Sequence, residues 1–242
     1  MTGPHFVIPH LSFNFYAFFL ASAVFFGEFY LYHKLQFVHK NGRLFFALIS
    51  MLFTTSSILI AVKFLPTKLV SSSLCGAGGF IASALLFDKF YNHPKVYKFL
   101  DLPQPTKLPK LYFTKNCLIA APLIYAIAKL GCAYAGCCHG FDYSGPFSFR
   151  YHTPEAHGEF FPVQPIETIV FTIIFFIARK NKNPYIIILI CAFAKFALDF
   201  LRYGHDKAFI SPNQIACIFI AVVTIVAYLL QKKHILSHKQ PK

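Results

Sequence analysis

Long apolar stretches recur along the whole chain and restrict its fold more than any other feature. The 242 residues are 56% hydrophobic and only 13% charged, whereas a soluble domain usually has about a quarter charged residues. Several stretches approach the roughly 20 residues that a helix needs to cross a bilayer. Because hydrocarbon offers the backbone no water, each crossing segment must satisfy its own hydrogen bonds as a helix. The runs are continuous rather than alternating, which disfavours a membrane barrel. The sequence therefore predicts an integral membrane protein.

The apolar stretches predict an all-α fold with seven transmembrane helices, forming a single transmembrane domain over residues 1–242. The fourth helix is expected to end inside LGCAYAGCCHG, Leu130–Gly140, which we call the Cys-Gly stretch. The predicted helices are Leu11–Leu31, Leu44–Phe64, Leu69–Phe87, Leu111 to the Cys-Gly stretch, Gln164–Ala178, Tyr185–Leu201 and Asn213–Leu230. A cytoplasmic loop is predicted at 88–110, where prolines disfavour a continuous helix. A small outward loop domain is predicted at 139–163.

Basic residues are distributed unequally between the two sides of this arrangement. Most of the 23 Lys and Arg residues follow the first, third and fifth predicted helices or lie in the C-terminal tail. Such residues accumulate on the cytoplasmic side of membrane proteins. We therefore expect the N-terminus outside, the C-terminus in the cytoplasm and the Cys-Gly stretch near the outer boundary. The net charge of +14 then reflects orientation and contact with anionic lipid rather than binding of nucleic acid.

Four charged residues interrupt segments that should otherwise meet lipid: Glu28, Lys195, Asp199 and Arg202. A charge at the bilayer centre costs about 2.5–3.5 kcal/mol on insertion scales, so these side chains should face the bundle interior. Lys195, Asp199 and Arg202 share one helical face, which lets the acid pair with a base on either side. A structural ion pair would explain Lys195 and Asp199 equally well. Arg202 lies nearest the outer end and suits a lipid phosphate, whereas Glu28 is interpreted as structural.

Polar residues also open the fifth predicted helix. Gln164 and Glu167 are three residues apart and therefore share a helical face near the outer boundary. An acid in a first turn is also favoured simply by the helix dipole. Tyr16 and Tyr134 fit the ordinary role of tyrosine at a membrane interface.

The Cys-Gly stretch combines small residues with soft side chains. Cys132 lies five residues before Cys137 and six before Cys138, so one regular helix would not bring the three thiols together, although a kink at Gly136 would. A site formed by these cysteines and His139 is one interpretation, but adjacent cysteines lack the usual spacing of zinc ligands. A disulfide and close packing of small residues remain alternatives, and packing is the simplest. We predict no metal at this stretch.

Motif-like segments occur in a consistent order along the chain. They are Tyr16-Ala17, Gly78-Gly79-Phe80-Ile81, Ala121-Pro122-Leu123, Lys129–Ala133, Cys137–Gly140, Phe161–Glu167, Lys195–Arg202 and Ser211–Gln214. In this order the chain resembles the prolipoprotein diacylglyceryl transferase family, inner-membrane enzymes of bacteria with seven transmembrane helices and an outward N-terminus. It is most similar to a divergent branch whose signature reads Gly-Cys-x-x-x-Gly-Cys-Cys-x-Gly. Ala77 occupies the position of the family's essential histidine, and Lys129, Cys132 and Cys137 replace its Arg, Asn and Glu.

The resemblance implies a reaction and a set of site residues. These enzymes move the diacylglyceryl group of phosphatidylglycerol onto a lipoprotein cysteine thiol, release glycerol phosphate and need no cofactor. The implied catalytic residues are Arg202, Lys129, Glu167 and His139. The implied substrate-binding residues are Tyr16, Gly78, Gly79, Gly131, Cys132, Gly136, Cys137, Gly140, Gln164, Lys195 and Asp199. With the family histidine replaced, the proton acceptor would be His139, Glu167 or His152.

Three classes of function are consistent with the sequence. The first is a transferase that uses phosphatidylglycerol or another anionic phospholipid, with a protein as its acceptor. The second is an inactive relative that binds phospholipid or a lipoprotein. The third is a membrane protein with a Cys/His metal or redox site.

Overall fold

The computed structural model describes residues 6–7, 15–64, 72–102, 108–153, 156–181, 183–203 and 210–237. Its helices are α1 (Phe15–Lys34), α2 (Lys40–Phe64), α3 (Ser72–Phe90), α4 (Pro94–Phe99), α5 (Tyr112–Ala135), α6 (Val163–Lys180), α7 (Pro184–Asp199) and α8 (Pro212–Ser237). Its strands are β1 (Phe6–Val7), β2 (Phe149–Thr153) and β3 (Ala156–Phe160). The predicted helix starts at Leu11 and Leu69 lie outside the described residues.

The protein is mainly helical, and four of its described helices are long and apolar enough to cross a membrane. These are α1, α5 and the greater part of α2 and α8. Helix α7 has 16 residues, which at 1.5 Å per residue is about 24 Å and shorter than the roughly 30 Å hydrocarbon layer. Helix α6 is also short, at 18 residues, and both α6 and α7 carry buried charges near the end of the bundle described below.

Burial follows the pattern expected for an apolar solvent. Phe25, Phe193 and Phe219 each leave more than half of their surface exposed. Gln164 and Glu167, in contrast, have no exposed surface. Apolar side chains thus cover the outside of the bundle, while polar side chains that would be costly in lipid face its interior.

Helix α5 is the centre of the bundle and packs against α1, α3, α6 and α7. Close approach of α1 depends on glycine, because a Cβ atom at Gly131 would lie 3.1 Å from the Cβ of Phe19. The start of α5 is held by Asp88, whose carboxylate accepts hydrogen bonds from the backbone N–H groups of Phe113 (2.8 Å) and Thr114 (2.9 Å). Asp88 thereby supplies acceptors for N–H groups that have no partner inside the helix.

The two ends of the bundle differ in character. At one end, the Tyr112 hydroxyl donates to the carbonyl of Lys34, and Arg179 lies within electrostatic reach of Tyr30. We call this the basic end. At the opposite end α1 begins and α5 finishes, with the backbone of Tyr16 beside Gly131. We call this the sheet end, because the chain between α5 and α6 forms its strands there.

The prediction of an entirely helical fold is wrong in one respect, since three strands form a small sheet. Strand β1 pairs with β2 in parallel, and β2 pairs with β3 antiparallel, with Phe149 opposite Phe160. Tyr151 and Phe160 are buried against each other on it. The segment predicted as the loop 139–163 therefore contains a hairpin. Strand pairing depends on distant partners as much as on local pattern, and five-residue strands give little pattern to read. The predicted loop 88–110 likewise contains the short helix α4.

Candidate functional site

Glu167 lies in the first turns of α6 and is contacted by three cations. Its Oε2 atom is 2.9 Å from Lys129 Nζ on α5. Its Oε1 atom is 2.9 Å from Lys195 Nζ on α7 and 2.8 Å from Nη2 of Arg202, just after α7. The Tyr125 hydroxyl also donates to Oε1, over 3.0 Å. A fully buried carboxylate is costly unless it is paired and hydrogen-bonded, and here α5, α7 and the chain just after α7 supply the partners.

A second carboxylate, that of Asp199, extends the network. It lies 3.7 Å from Lys195 Nζ and 3.1 Å from Arg202 Nε, and the Ser211 hydroxyl donates to it. The prediction that Asp199 pairs with a base on either side is therefore confirmed. Arg202 contacts both carboxylates, so its guanidinium is fixed in orientation.

We define the cation cluster as the ionic group formed by Lys129, Lys195, Arg202, Glu167 and Asp199. This cluster carries one positive charge in excess. Three cations face two carboxylates, and all five side chains are largely shielded. Arg202 is the most accessible cation, with 13% of its side chain exposed against 5% for Lys129 and 7% for Lys195. An uncompensated charge at this depth is unfavourable. The cluster therefore favours binding of an anion, and Arg202 is the cation best placed to meet one.

The backbone of the Cys-Gly stretch fixes the position of Arg202. Gly140 forms an antiparallel bridge with Arg202, and the N–H of Tyr203 donates to the carbonyl of His139 over 3.2 Å. Only glycine fits at position 140, because a Cβ atom there would lie 2.8 Å from the Cβ of Phe161 and 3.0 Å from the Leu201 carbonyl oxygen. The glycine thus allows the stretch to pair directly with the chain that carries Arg202.

The three cysteines of the Cys-Gly stretch converge although they do not share one regular helix. Helix α5 ends at Ala135, and Gly136 takes a left-handed conformation with φ of 72°. This turn brings the Cys137 sulfur to 3.9 Å from the carbonyl oxygen of Cys132. The thiols of Cys132, Cys137 and Cys138 lie within electrostatic reach of one another. The sequence named Gly136 as the position where the helix would break, and α5 does end there.

We call Cys132, Cys137 and Cys138 the thiol cluster. Within it, Cys138 differs from the other two cysteines in the direction of its pKa shift. Hydrogen bonds from the Cys132 and Cys137 thiols, together with the charges of Lys129 and Arg202, hold the pKa of the Cys138 thiol well below its usual range. Interactions with the Cys132 and Cys138 thiols raise the pKa of the Cys137 thiol. Cys138 is also the exposed member of the cluster. It is therefore the thiol most readily ionised at the sheet end.

Gln164 and Tyr16 lie beside the thiol cluster. Gln164 is fully buried and donates from Nε2 to the carbonyl of Cys137 over 3.1 Å. Its role is to hold the turn after α5. Tyr16, on α1, lies within electrostatic reach of the three thiols and of Lys129. Both predicted binding residues are thus at the sheet end with the cation cluster.

The two histidines considered as proton acceptors occupy other surroundings. The Nδ1 atom of His139 is 3.0 Å from the carbonyl oxygen of Gly140, and its ring packs against Phe160 and Tyr203, with centroids 4.0 Å and 5.0 Å away. His152 faces His157 across the hairpin. His139 therefore packs between β3 and the chain after α7, and its predicted catalytic role stays a prediction.

The glycine pair of α3 serves helix packing rather than the cation cluster. A Cβ atom at Gly79 would collide with the backbone of Phe53 and lie within 2.9 Å of the Cβ of Ser57, both on α2. At Gly78 a Cβ atom would meet no atom within 4 Å. Gly79 thus allows α2 and α3 to approach, whereas Gly78 faces open space.

Sequence reasoning missed Tyr125. Its hydroxyl bonds to Glu167, and its ring lies 5.1 Å from Lys129 Nζ and 5.6 Å from Lys195 Nζ. The only available signal was its position one helical turn before Lys129, on the same face of α5. Within the described residues, no group of three or more His, Cys, Asp or Glu side chains is arranged to hold a metal ion.

The site of this protein therefore consists of a cation cluster with an excess positive charge and an adjoining thiol cluster, both at the sheet end of the bundle. Comparisons with protein-family models, curated proteins and solved structures gave no match to the chain, so its function must be inferred from this geometry.

Proposed function

We propose that the chain is a phospholipid-dependent transferase of the bacterial inner membrane. Its donor is phosphatidylglycerol or another anionic phospholipid, and it moves the diacylglyceryl group, or a related head-group unit, to an acceptor such as a lipoprotein cysteine thiol. The observation that carries this proposal is the excess positive charge of the cation cluster, with Arg202 as its most accessible member. The ordered sequence motifs support the same interpretation.

The charges suit the departure of a phosphate. In the transfer, the bond between the diacylglyceryl carbon and the phosphate oxygen breaks, and glycerol phosphate leaves with the bonding electrons. The acceptor bonds to the same carbon and gives up its proton to water. A guanidinium fixed by Glu167 and Asp199 offers a preorganised, permanently charged partner for the phosphate. Lys129 adds charge from α5.

Glu167 acts as a positioning residue in this proposal. It already accepts from Lys195, Arg202 and Tyr125 and pairs with Lys129. A carboxylate surrounded by cations is a weak base. It therefore holds the cations at their separations, and the proton of the acceptor must leave by another route.

We further propose that seven helices, α1 to α3 and α5 to α8, cross the membrane with the sheet end outside. Helices α3, α6 and α7 pack beside the four long apolar helices, and the short length of α6 and α7 suits ends that sit in a polar site rather than in lipid. Basic side chains gather at the other end, where Arg179 lies within electrostatic reach of Tyr30 and Lys34 ends α1. This distribution agrees with cytoplasmic placement of the basic end. Thiol labelling with a membrane-impermeant reagent, applied to intact cells, tests it: Cys138 should label from outside.

The proposed activity is tested with the full chain in phospholipid nanodiscs containing head-group-labelled phosphatidylglycerol. A panel of acceptors, including a peptide with a lipoprotein cysteine, is added and release of labelled glycerol phosphate is measured. We expect acceptor-dependent release by the wild type and by Arg150→Gln, whose cation lies in the hairpin and pairs with Glu159. Arg202→Gln should abolish it. Selective binding of phosphatidylglycerol without release under any acceptor would replace the transferase by a lipid-binding protein, and absence of both would overturn the proposal.

A further inference from the structure

An apolar groove of about 510 Å³ opens on the lipid-facing side of α1 and α5. It is lined by Phe26, Phe29, Tyr30 and His33 of α1 and by Leu123 and Ile127 of α5. We infer that this groove, with Lys34 and Arg179 at one end of it, binds an anionic phospholipid from the leaflet at the basic end. The inference requires neither the transfer reaction nor a particular orientation of the protein in the membrane.

The walls of the groove follow from spacing along the two helices. The four residues of α1 are spaced at i, i+3, i+4 and i+7 and therefore form one face of that helix, and the two residues of α5 are one turn apart. Phe26 and Phe29 leave 51% and 54% of their surface exposed, so this face meets lipid. The volume of the groove lies within the range of about 300–1,000 Å³ that is typical of ligand sites.

Basic side chains collect at one end of the groove. His33 lines the groove itself, and Lys34 Nζ lies 5.9 Å from the centre of the Tyr30 ring. The Tyr30 ring is 5.2 Å from the ring of Phe175 on α6. The guanidinium of Arg179 lies 5.8 Å from the centre of that second ring. Cations from α1 and α6 therefore converge on one aromatic pair at the basic end.

These cations are available to a ligand. His33, Lys34 and Arg179 are exposed. Among the residues that the structure describes, no carboxylate forms an ion pair with Lys34 or Arg179. The groove thus joins an apolar surface to unpaired positive charge. These two parts match the acyl chain and the phosphate of an anionic phospholipid.

The charge at the end of the groove determines which phospholipid it selects. Any lipid can place an acyl chain against an apolar surface, so the preference must come from the head group. Each Lys or Arg near the membrane surface favours an anionic lipid by about fivefold. Lys34 and Arg179 together should therefore give phosphatidylglycerol a preference of about 30-fold over zwitterionic phosphatidylcholine.

The groove is separate from the cation cluster. Tyr16 lies beside Gly131 at the sheet end, and Tyr30 is about 21 Å farther along α1. A lipid in the groove therefore has its head group at the basic end, whereas the cation cluster lies at the sheet end.

Photoreactive lipids test the inference on the full-length protein in phosphatidylcholine nanodiscs. Phosphatidylglycerol and phosphatidylcholine probes carry the same diazirine in an acyl chain, and labelled residues are located by mass spectrometry. Trypsin releases residues 116–129, a peptide that contains both groove residues of α5. Labelling of α8, which also exposes apolar side chains, normalises the two probes. Phosphatidylglycerol should label Leu123 and Ile127 about 30-fold more than phosphatidylcholine does after this normalisation.

Variants at exposed positions separate the contributions to this preference. Lys34→Gln and Arg179→Gln should each lower it about fivefold, and the double variant should lose it. The matched control is Lys89→Gln in the last turn of α3, where Lys89 Nζ lies 5.3 Å from the Phe90 ring and does not line the groove. This control should keep the preference. Arg202→Gln should also keep it.

Three results would overturn the inference. They are equal normalised labelling by the two probes, an unchanged preference in the double variant, and loss of the preference in Arg202→Gln, which would assign the labelled lipid to the cation cluster. Failure of the first two kinds leaves the proposed transferase untouched, because release of glycerol phosphate is not measured. The double variant also provides a background in which lipid binding at the cation cluster can be titrated without binding at the groove.

Discussion

Neutralising Glu167 tests most severely whether this carboxylate holds the cation cluster together. Glu167→Gln keeps the size of the side chain but removes the charge that lies 2.8–2.9 Å from the nitrogens of Lys129, Lys195 and Arg202. Opposite charges about 4 Å apart attract by about 4 kcal/mol at an effective dielectric constant of about 20. In the variant three cations would face one carboxylate, and each would keep its desolvation cost. Removing one partner of a buried ionic group costs about 3–5 kcal/mol.

Thermal unfolding of the purified protein in detergent measures this cost. For a chain of this size about 1 kcal/mol corresponds to about 2–4 °C in Tm, so Glu167→Gln should lower Tm by about 6–20 °C. The matched control is Glu159→Gln in the hairpin, where Glu159 and Arg150 keep 20% and 40% of their side chains exposed. A surface pair is worth about 0–1 kcal/mol, so Tm should change by no more than about 4 °C. Equal Tm changes in the two variants would refute the reasoning that Glu167 holds the cluster together.

Three further outcomes follow from the geometry. Gly140→Ala should destabilise the protein by about 1–3 kcal/mol, as overpacked sites do. Gly78→Ala should leave Tm unchanged, because open space surrounds Gly78. Equal Tm values for the two variants would contradict this. Asp88→Ala should lower the free energy of unfolding by about 1 kcal/mol, the usual loss for a helix cap, because Asp88 accepts hydrogen bonds from N–H groups in the first turn of α5. An unchanged Tm would argue against this capping role. Because the pKa of Cys138 is lowered, its alkylation by iodoacetamide should persist as pH falls well below about 8.5, the pKa of an ordinary cysteine. If the alkylation rate instead has its pH midpoint near that of a cysteine peptide, Cys138 is not a thiolate.

The sequence predicted those parts of the site that depend on spacing along one helix. Asp199 pairs with Lys195 and Arg202 because positions four and three residues apart share a helical face. The meeting of Glu167 with Lys129 could not be read from spacing. It depends on how α5 and α6 are rotated against each other, which packing of the whole bundle decides. Only the resemblance of motifs placed both residues at one site.

The region between α5 and α6 was the least predictable from sequence. Glycine at position 136 signalled a break in the helix, and the break does bring the Cys137 sulfur to the carbonyl of Cys132 in the last turn of α5. The hairpin carried a weaker signal, because β2 and β3 have five residues each and gain their order from pairing. The surroundings of His139 were hidden for the same reason. Its ring packs against Phe160 of β3 and Tyr203, just after α7, and its catalytic role stays a prediction.

Selective binding of phosphatidylglycerol is the most direct test of the central claim, that the cation cluster receives a lipid phosphate. Nanodiscs of phosphatidylcholine with labelled phosphatidylglycerol would be titrated with wild type, Arg202→Gln and the exposed control Arg150→Gln. A hydrogen bond to a charged group contributes about 1.5–3 kcal/mol, so Arg202→Gln should weaken binding by about 10- to 150-fold, while Arg150→Gln binds as the wild type does. Equal affinity of the wild type and Arg202→Gln for phosphatidylglycerol would contradict the account.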